Sequence, residues 1–476
     1  MIDHFIKFIL IFLIIFTPIA FGSIELWAFS IMELGILLLL ILWALQNIII
    51  RTPNPSPQNV YSQLKTLNSP LPIVLLSIFL VFILFQMLPL PSDLLKIISP
   101  KTLELRKSLS MVDSQLSTLN SKFQISFFPF ATQIEFYKWF TLIGLFFLLC
   151  SKLIDDKFHM TSHLIVAIIF IGVAESLYGM FEFFSGHKYI LHLNREFIMA
   201  SVTGTFFNSN YFAGYLLMVI PLSVGFLFSR EATQISRLRG WREHLVSLDG
   251  KTLLLGFGTI VMILGLLFSA SRMGILSLLF SFTLLRFLFR NSSKEHSRFS
   301  RTSILILGLA LLWGAWIGLD AVISRFLDTS EDFRLRSVFW VNTFQIFKDF
   351  PIFGSGLGTF AQVFAMYRSF HLIGIATHAE NDFLQLASEV GIVGIGLLLI
   401  LFFFFFYKAI SGIRFLSPRE PGRYIGMSGL VGTLALMFHS LVERNLQVPA
   451  NAFLYTMLWA IILRVSVKKR SNLITK

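Results

Sequence analysis

Charge is what this chain has least of. Only 14% of its 476 residues are charged, against about 25% in a soluble domain. That scarcity, with 55% hydrophobic residues and a mean hydropathy of +0.76, excludes a water-soluble globule and indicates an integral membrane protein. Cysteine is nearly missing as well. Cys150 stands alone, so no intramolecular disulfide can form. A basic soluble domain is lacking too, and the formal net charge of +13 therefore does not point to nucleic acid. Metal-ligand spacing of the HExxH kind is absent, so the signal for a metal site is weak, and no other cofactor is expected.

What is present is a series of apolar runs, each close to the roughly 20 residues that a helix needs to cross a bilayer. The strands of a membrane barrel would be about ten residues long, so the fold class is all-α. About twelve spans are expected, near 5–21, 27–49, 72–90, 135–151, 161–182, 206–228, 252–268, 273–290, 302–322, 384–407, 424–441 and 447–464. Together they make one polytopic membrane domain, 1–476, with membrane lipids around it. The first run, IKFILIFLIIFTPIAFG, reads as a span rather than a cleaved leader. It is long, and Trp27 starts another span almost at once.

Basic residues orient the bundle. Lys7, Arg51, Lys65, Arg237, Arg239, Arg242, Lys468 and Lys469 fall in alternate, mostly short connections. The positive-inside rule puts those connections and both termini in the cytoplasm. Two long segments then face outward. In 91–134, Leu94, Leu95, Ile97 and Ile98 cluster with lysines nearby, as in short amphipathic helices lying on a membrane surface. The alternation of Phe123, Ile125 and Phe127 adds a brief extended piece. The other segment, 323–383, is a large loop between the ninth and tenth spans.

That loop and its borders carry most of the candidate chemistry. Arg334 and Arg336 flank Leu335 just ahead of SVFWVNTFQIF, a predicted helix. An extended Arg-x-Arg would put both side chains on one side, while a helix would splay them. Guanidinium forks match phosphate oxygens and never deprotonate. Against that, exposed arginines are ordinary surface, and Glu331 and Asp332 stand near enough to neutralise the pair. GSGLGTF, 354–360, has glycine at alternate positions. No strand–helix unit surrounds it, so it is not a dinucleotide fingerprint. It reads as a turn that lets backbone approach a ligand or another helix.

THAENDFLQLASEVGIVG opens the tenth span, and Asn381 or Asp382 suits its N-cap. Histidine as a residue type ordinarily titrates near neutrality, which makes His378 a candidate general base for a hydroxyl. Glu380 and Asp382 either orient that histidine or act as base themselves, although a lone histidine at a helix start is more often structural. SASRMG, 269–274, joins two spans in a tight outer turn. Arg272 there either snorkels to water or clamps an anion. Gly204, Asn208, Asn210 and Gly214 at the mouth of the sixth span suit close helix packing. Glu175, inside the fifth span, is expected to pair with a neighbouring polar group.

The ordered set of SASRMG, Arg334/Arg336 with TFQIFKDFPIFGSGLGTF, and THAENDFLQLASEVGIVG resembles the O-antigen ligase/polymerase family of bacterial envelope glycosyltransferases. HSLVERNLQVPANAF, FGSIELWAF and FQMLPLPSDLLKIISP look like its members too. The likeness is strongest over about 200–460. It implies a metal-independent transferase of the bacterial inner membrane whose site faces the periplasm. The donor it implies is a glycan on undecaprenyl diphosphate. Arg272 matches the arginine after the seventh span, and Arg334 or Arg336 the arginine of the large periplasmic loop. His378 matches the first histidine of a THAHND-type pattern, with Glu380 standing where many relatives carry a second. Either is then the candidate base, and Asn381 and Asp382 support the turn.

Ligation of O-antigen to lipid A–core leads these expectations. A polymerase extending the glycan, or a transferase to protein hydroxyls, shares the donor chemistry and differs in the acceptor. A transporter of lipid-linked sugars is the reading from another class. It should show repeats and polar residues near the midplane, whereas here polar groups gather in outer loops and helix mouths.

Overall fold

Among the described residues, helices form where the apolar runs predict spans. The computed structural model describes residues 2–49, 70–112, 122–151, 159–186, 189–194, 201–234, 249–289, 308–310, 312–316, 329–370, 374, 376–418 and 420–466. The expected span 302–322 lies mostly outside these residues. So do 113–121 and 323–328 of the two long segments, and Arg51, Lys65, Arg237, Arg239, Arg242, Lys468 and Lys469.

In chain order the helices are α1 (Ile2–Ile19), α2 (Leu26–Ile49), α3 (Leu71–Met87), the short α4 (Ser92–Ile98) and α5 (Pro100–Val112), and α6 (Pro129–Cys150). There follow α7 (His159–Ser185), α8 (Ser209–Gln234), α9 (Gly250–Phe268), α10 (Arg272–Leu288) and α11 (Thr329–Asp349). The last are α12 (Phe360–Tyr367), α13 (Asp382–Arg414), α14 (Pro421–His439) and α15 (Pro449–Ser466). Among the described residues, strand is confined to two antiparallel pairs: β1 (Leu90–Pro91) with β2 (Lys122–Phe123), and β3 (Tyr189–Ile190) with β4 (Leu193–Asn194). The extended piece expected near Phe123 is thus the partner of Leu90.

Local chemistry sets several helix starts. Proline lies in the first turn of α3, α6 and α14, where its missing N–H is no loss. Asp249, Ser271 and Asn381 cap α9, α10 and α13 through side-chain oxygens, each satisfying a backbone donor of the first turn.

The chain is a multi-pass membrane protein. Among the described residues, α1, α2, α6, α7, α8, α9 and α13 are long and apolar enough to cross a bilayer, and α3 is apolar but shorter. Residues 211–229 of α8 are all buried, which suits a helix that is hydrophobic on every side. Its main neighbour is α14. Small residues let the two backbones meet: a Cβ on Gly432 would fall 2.9 Å from the Met218 carbonyl oxygen. Association of helices in lipid depends on such close packing. Glu175 in α7 is paired, as expected, accepting from the Thr205 N–H and hydroxyl at 2.8 Å each.

One end of the bundle gathers the polar connections. The Val202 N–H donates to the Phe268 carbonyl at 2.9 Å, and Thr205 Oγ1 to the Pro18 carbonyl at 2.8 Å. At the same end Asp382 N–H donates to the Ser440 carbonyl at 3.1 Å, and Phe127 N–H to Ser355 at 3.1 Å. Residues far apart in sequence are brought to one rim.

Candidate active site

The rim site is built from the start of α13. Asn381 caps that helix, its Oδ1 accepting from the Leu384 N–H at 2.9 Å. Its amide nitrogen donates to the Leu441 carbonyl at 2.7 Å. Asp382 faces the other way and accepts from the N–H groups of Asn445 and Leu446, each at 2.8 Å. The two neighbours that were alternatives for the cap therefore have different tasks. Asn381 starts the helix, and Asp382 clamps the α14–α15 connection onto it.

Just before them, Glu380 has a left-handed backbone, φ 51, which is uncommon for a side chain larger than glycine. The Gln385 side chain steadies this turn by accepting from the Ala379 N–H at 3.1 Å. Gln385 in turn donates to Glu389 Oε1 at 3.2 Å. Glu389 also accepts from the N–H groups of Gly358 at 2.9 Å and Phe360 at 3.2 Å. The glycine-rich turn is thus tied to the candidate base. Gly356, with φ 108, presses on Ser126, where a Cβ would come within 2.6 Å of backbone. Of the two roles expected for this turn, close approach to other protein elements is the one observed.

Arg336 sits in α11, and its Nη2 lies 2.6 Å from Glu443 Oε1. It also donates to the Val442 carbonyl. Asn210 Nδ2 donates to the same Glu443 oxygen at 2.7 Å. Burial raises the Glu443 carboxyl above its ordinary range, and this outweighs the opposing charge of Arg336. Arg444, the next residue, donates through Nε to the Tyr211 hydroxyl and through Nη1 to Thr377 Oγ1 at 3.4 Å. Its Nε is 3.8 Å from Glu380 Oε1. Burial, with the charge of Glu443, pushes Glu380 from 4.5 to about 7, while Arg336 opposes the shift. That value places the carboxyl where a general base works near neutrality.

The other candidates spread around this centre. Arg334 is exposed on α11 and does not share the position of Arg336, because the helix begins before both and splays them. His378 Nδ1 is buried without a hydrogen-bond partner among the described residues. Arg272, half-buried, opens α10 immediately after Ser271, whose Oγ lies 3.4 Å from His439 Nε2. His439 Nδ1 in turn lies 3.2 Å from Asn445 Nδ2. This chain of contacts joins the Arg272 turn to the connection that carries Glu443 and Arg444. Among the described residues, no three His, Cys, Asp or Glu side chains are grouped to hold a metal ion.

Residues 257–399 match the sequence model of the O-Antigen ligase family. The chain carries an O-antigen ligase domain. That domain is of the O-antigen ligase/polymerase type, and it lies within a multi-pass membrane fold. The matched stretch holds Arg272, Arg334, Arg336, His378, Glu380, Asn381 and Asp382, and stops before Glu443 and Arg444. No curated protein matches the chain.

Sequence reasoning gave no role to Tyr211, Glu443, Arg444 or Asn445. The available signal was the VERN run, adjacent opposite charges in a very short connection between two apolar spans. Charges so placed are costly unless they have partners or a task.

Proposed function

We propose that this enzyme transfers a glycan from undecaprenyl diphosphate to an acceptor hydroxyl at the periplasmic face, with lipid A–core as the leading acceptor. The observation that carries this reading is the rim cluster. A carboxyl raised to about 7, Glu380, stands beside Arg444 and near the Arg336–Glu443 pair, within and next to the matched O-antigen ligase segment. Glycosyl transfer needs a base on one side of the anomeric carbon and positive charge on the other.

Glu380 is our choice for the base over His378, because its proton affinity is poised near neutrality and its side chain remains one-third exposed. The acceptor oxygen attacks the anomeric carbon as its proton passes to the Glu380 carboxylate. The anomeric carbon–oxygen bond breaks, and its electron pair leaves on the diphosphate. The anomeric centre inverts. Arg272 and Arg336 supply positive charge to the departing oxygens, an effect strengthened where water is limited.

The test uses purified protein in lipid, supplied with an undecaprenyl-diphosphate glycan and lipid A–core in the presence of EDTA. Conversion of lipid A–core to a slower-migrating product, with release of undecaprenyl diphosphate, is expected. Lengthening of the donor alone would replace ligase with polymerase. Transfer to protein hydroxyls alone would change the acceptor, and movement of intact donor across the bilayer without bond cleavage would overturn the reading.

A further inference from the structure

Of the two loop arginines that the sequence offered, Arg336 reaches the rim and is largely committed there. Glu443 lies 2.6 Å from one terminal nitrogen and the Val442 carbonyl takes a hydrogen bond from the other. Arg444 is different. A guanidinium carries five N–H donors. Arg444 directs Nε to the Tyr211 hydroxyl and Nη1 to Thr377, and its Nη2 has no hydrogen-bond partner among the described residues. Its carboxylate contact, Glu380 at 3.8 Å, is longer than a hydrogen bond. The side chain is 23% exposed, so its spare donors remain within reach of a ligand.

Its position is also fixed. The guanidinium carbon lies 5.0 Å from the centroid of the Tyr211 ring, within the range of a cation–π contact. Tyr211 is 2% exposed in the first turn of α8, where the buried stretch 211–229 begins. Arg444 is thus a pre-oriented fork on a rigid platform, the arrangement that favours bidentate recognition of phosphate.

We propose that Arg444, held by Tyr211, is a phosphate-binding residue of this site, gripping oxygens of the polyprenyl diphosphate beside Glu380. Arg336 contributes charge and holds Glu443 in place, while Arg444 contributes hydrogen bonds to the leaving group. The geometry of transfer accommodates this. A base lies about 3 Å from the attacking hydroxyl, and that oxygen lies about 3–3.5 Å from the anomeric carbon. The leaving phosphate oxygen therefore sits roughly 6–8 Å from the Glu380 carboxylate, a span that a guanidinium whose Nε lies 3.8 Å from that carboxylate can bridge with its terminal nitrogens and a hydrogen bond. This inference rests on the transfer reading above.

The test measures binding of undecaprenyl diphosphate and undecaprenyl monophosphate to the full-length protein in nanodiscs, for the wild type, Arg444→Gln, Arg444→Lys and Tyr211→Phe. The ratio of diphosphate to monophosphate affinity should fall by about tenfold or more in Arg444→Gln, the loss of a charged hydrogen bond. A smaller fall is expected in Arg444→Lys, which keeps the charge without the fork, and in Tyr211→Phe, which keeps the ring without the hydroxyl. A merely structural arginine would weaken both lipids together and leave the ratio unchanged; that result overturns the assignment. If Arg444→Gln does not fold, the Arg444→Lys ratio decides. Wild-type protein that binds neither lipid sinks the transfer reading itself, whereas wild-type binding with unchanged variant ratios sinks only the role of Arg444.

Discussion

Glu380 and its neighbours show how much a side chain's role depends on what surrounds it. A carboxylate in a polar loop ordinarily titrates near 4.5, and burial together with the Glu443 charge moves this one to about 7. The folded protein therefore holds the Glu380 proton more tightly than the unfolded chain does. Its contribution to stability is fully present below pH 4.5 and is lost as pH rises through about 7. Replacement by glutamine removes that dependence. Glu380→Gln should match the wild type in melting temperature at pH 4 and exceed it at pH 8, and its transfer activity should fall at least about a hundredfold, the ordinary share of a general base. Wild-type turnover should rise through pH 7. An unchanged pH–rate profile in Glu380→Gln would shift the base to His378. The sequence showed that a carboxylate stood beside the histidine; it could not show that Glu443, 63 positions later in the chain, would raise its proton affinity.

At the scale of elements, the start of α11 decides between the two arginines. Sequence left open whether Arg334 and Arg336 run extended or helical. Because the helix begins at Thr329, residues two apart point to different sides, and only Arg336 meets Glu443. Removing Arg336 leaves the Glu443 carboxylate, 4% exposed, buried without its cation. Arg336→Ala should therefore destabilise the protein by about 3 kcal/mol or more, with loss of transfer. Arg334→Ala should change melting temperature and activity little. Equal effects of the two substitutions, measured by thermal unfolding in detergent and by the transfer assay, would contradict this division. The glycine-rich turn makes a similar point. Its alternate glycines were legible as a place of close approach, but the partners, Ser126 and the backbone around Glu389, come from segments that no local pattern links to it.

For the whole molecule, the rim cluster requires the α14–α15 connection and the start of α13 to lie on one side of the membrane. The distribution of basic residues predicts that this side is the periplasm. Cys150 is buried, so its replacement by serine gives a background for thiol mapping. In that background Leu441→Cys, at an exposed rim position, should react with a membrane-impermeant thiol reagent from the periplasm. Phe415→Cys, exposed at the opposite end of α13, should react only after the inner membrane is opened. The reverse labelling pattern would invert the topology and move the site to the cytoplasm.

Taken alone, the sequence determined the class of the protein and where most of its helices lie. Apolar runs of membrane length leave the backbone no better way to satisfy its polar groups than a helix. It also picked out Arg272, the pair Arg334 and Arg336, His378 and Glu380 as candidates, through resemblance and residue type, without choosing within the pair. Tertiary structure decided which of them meet, because polar contacts at the rim join residues up to 233 positions apart. Tyr211 and Arg444 lie 233 positions apart, and Arg336 and Val442 lie 106 apart. Periodicity reports only which way a side chain faces within its own element. The packing of α8 against α14, permitted by small residues along their contact, is what carries distant side chains to one rim.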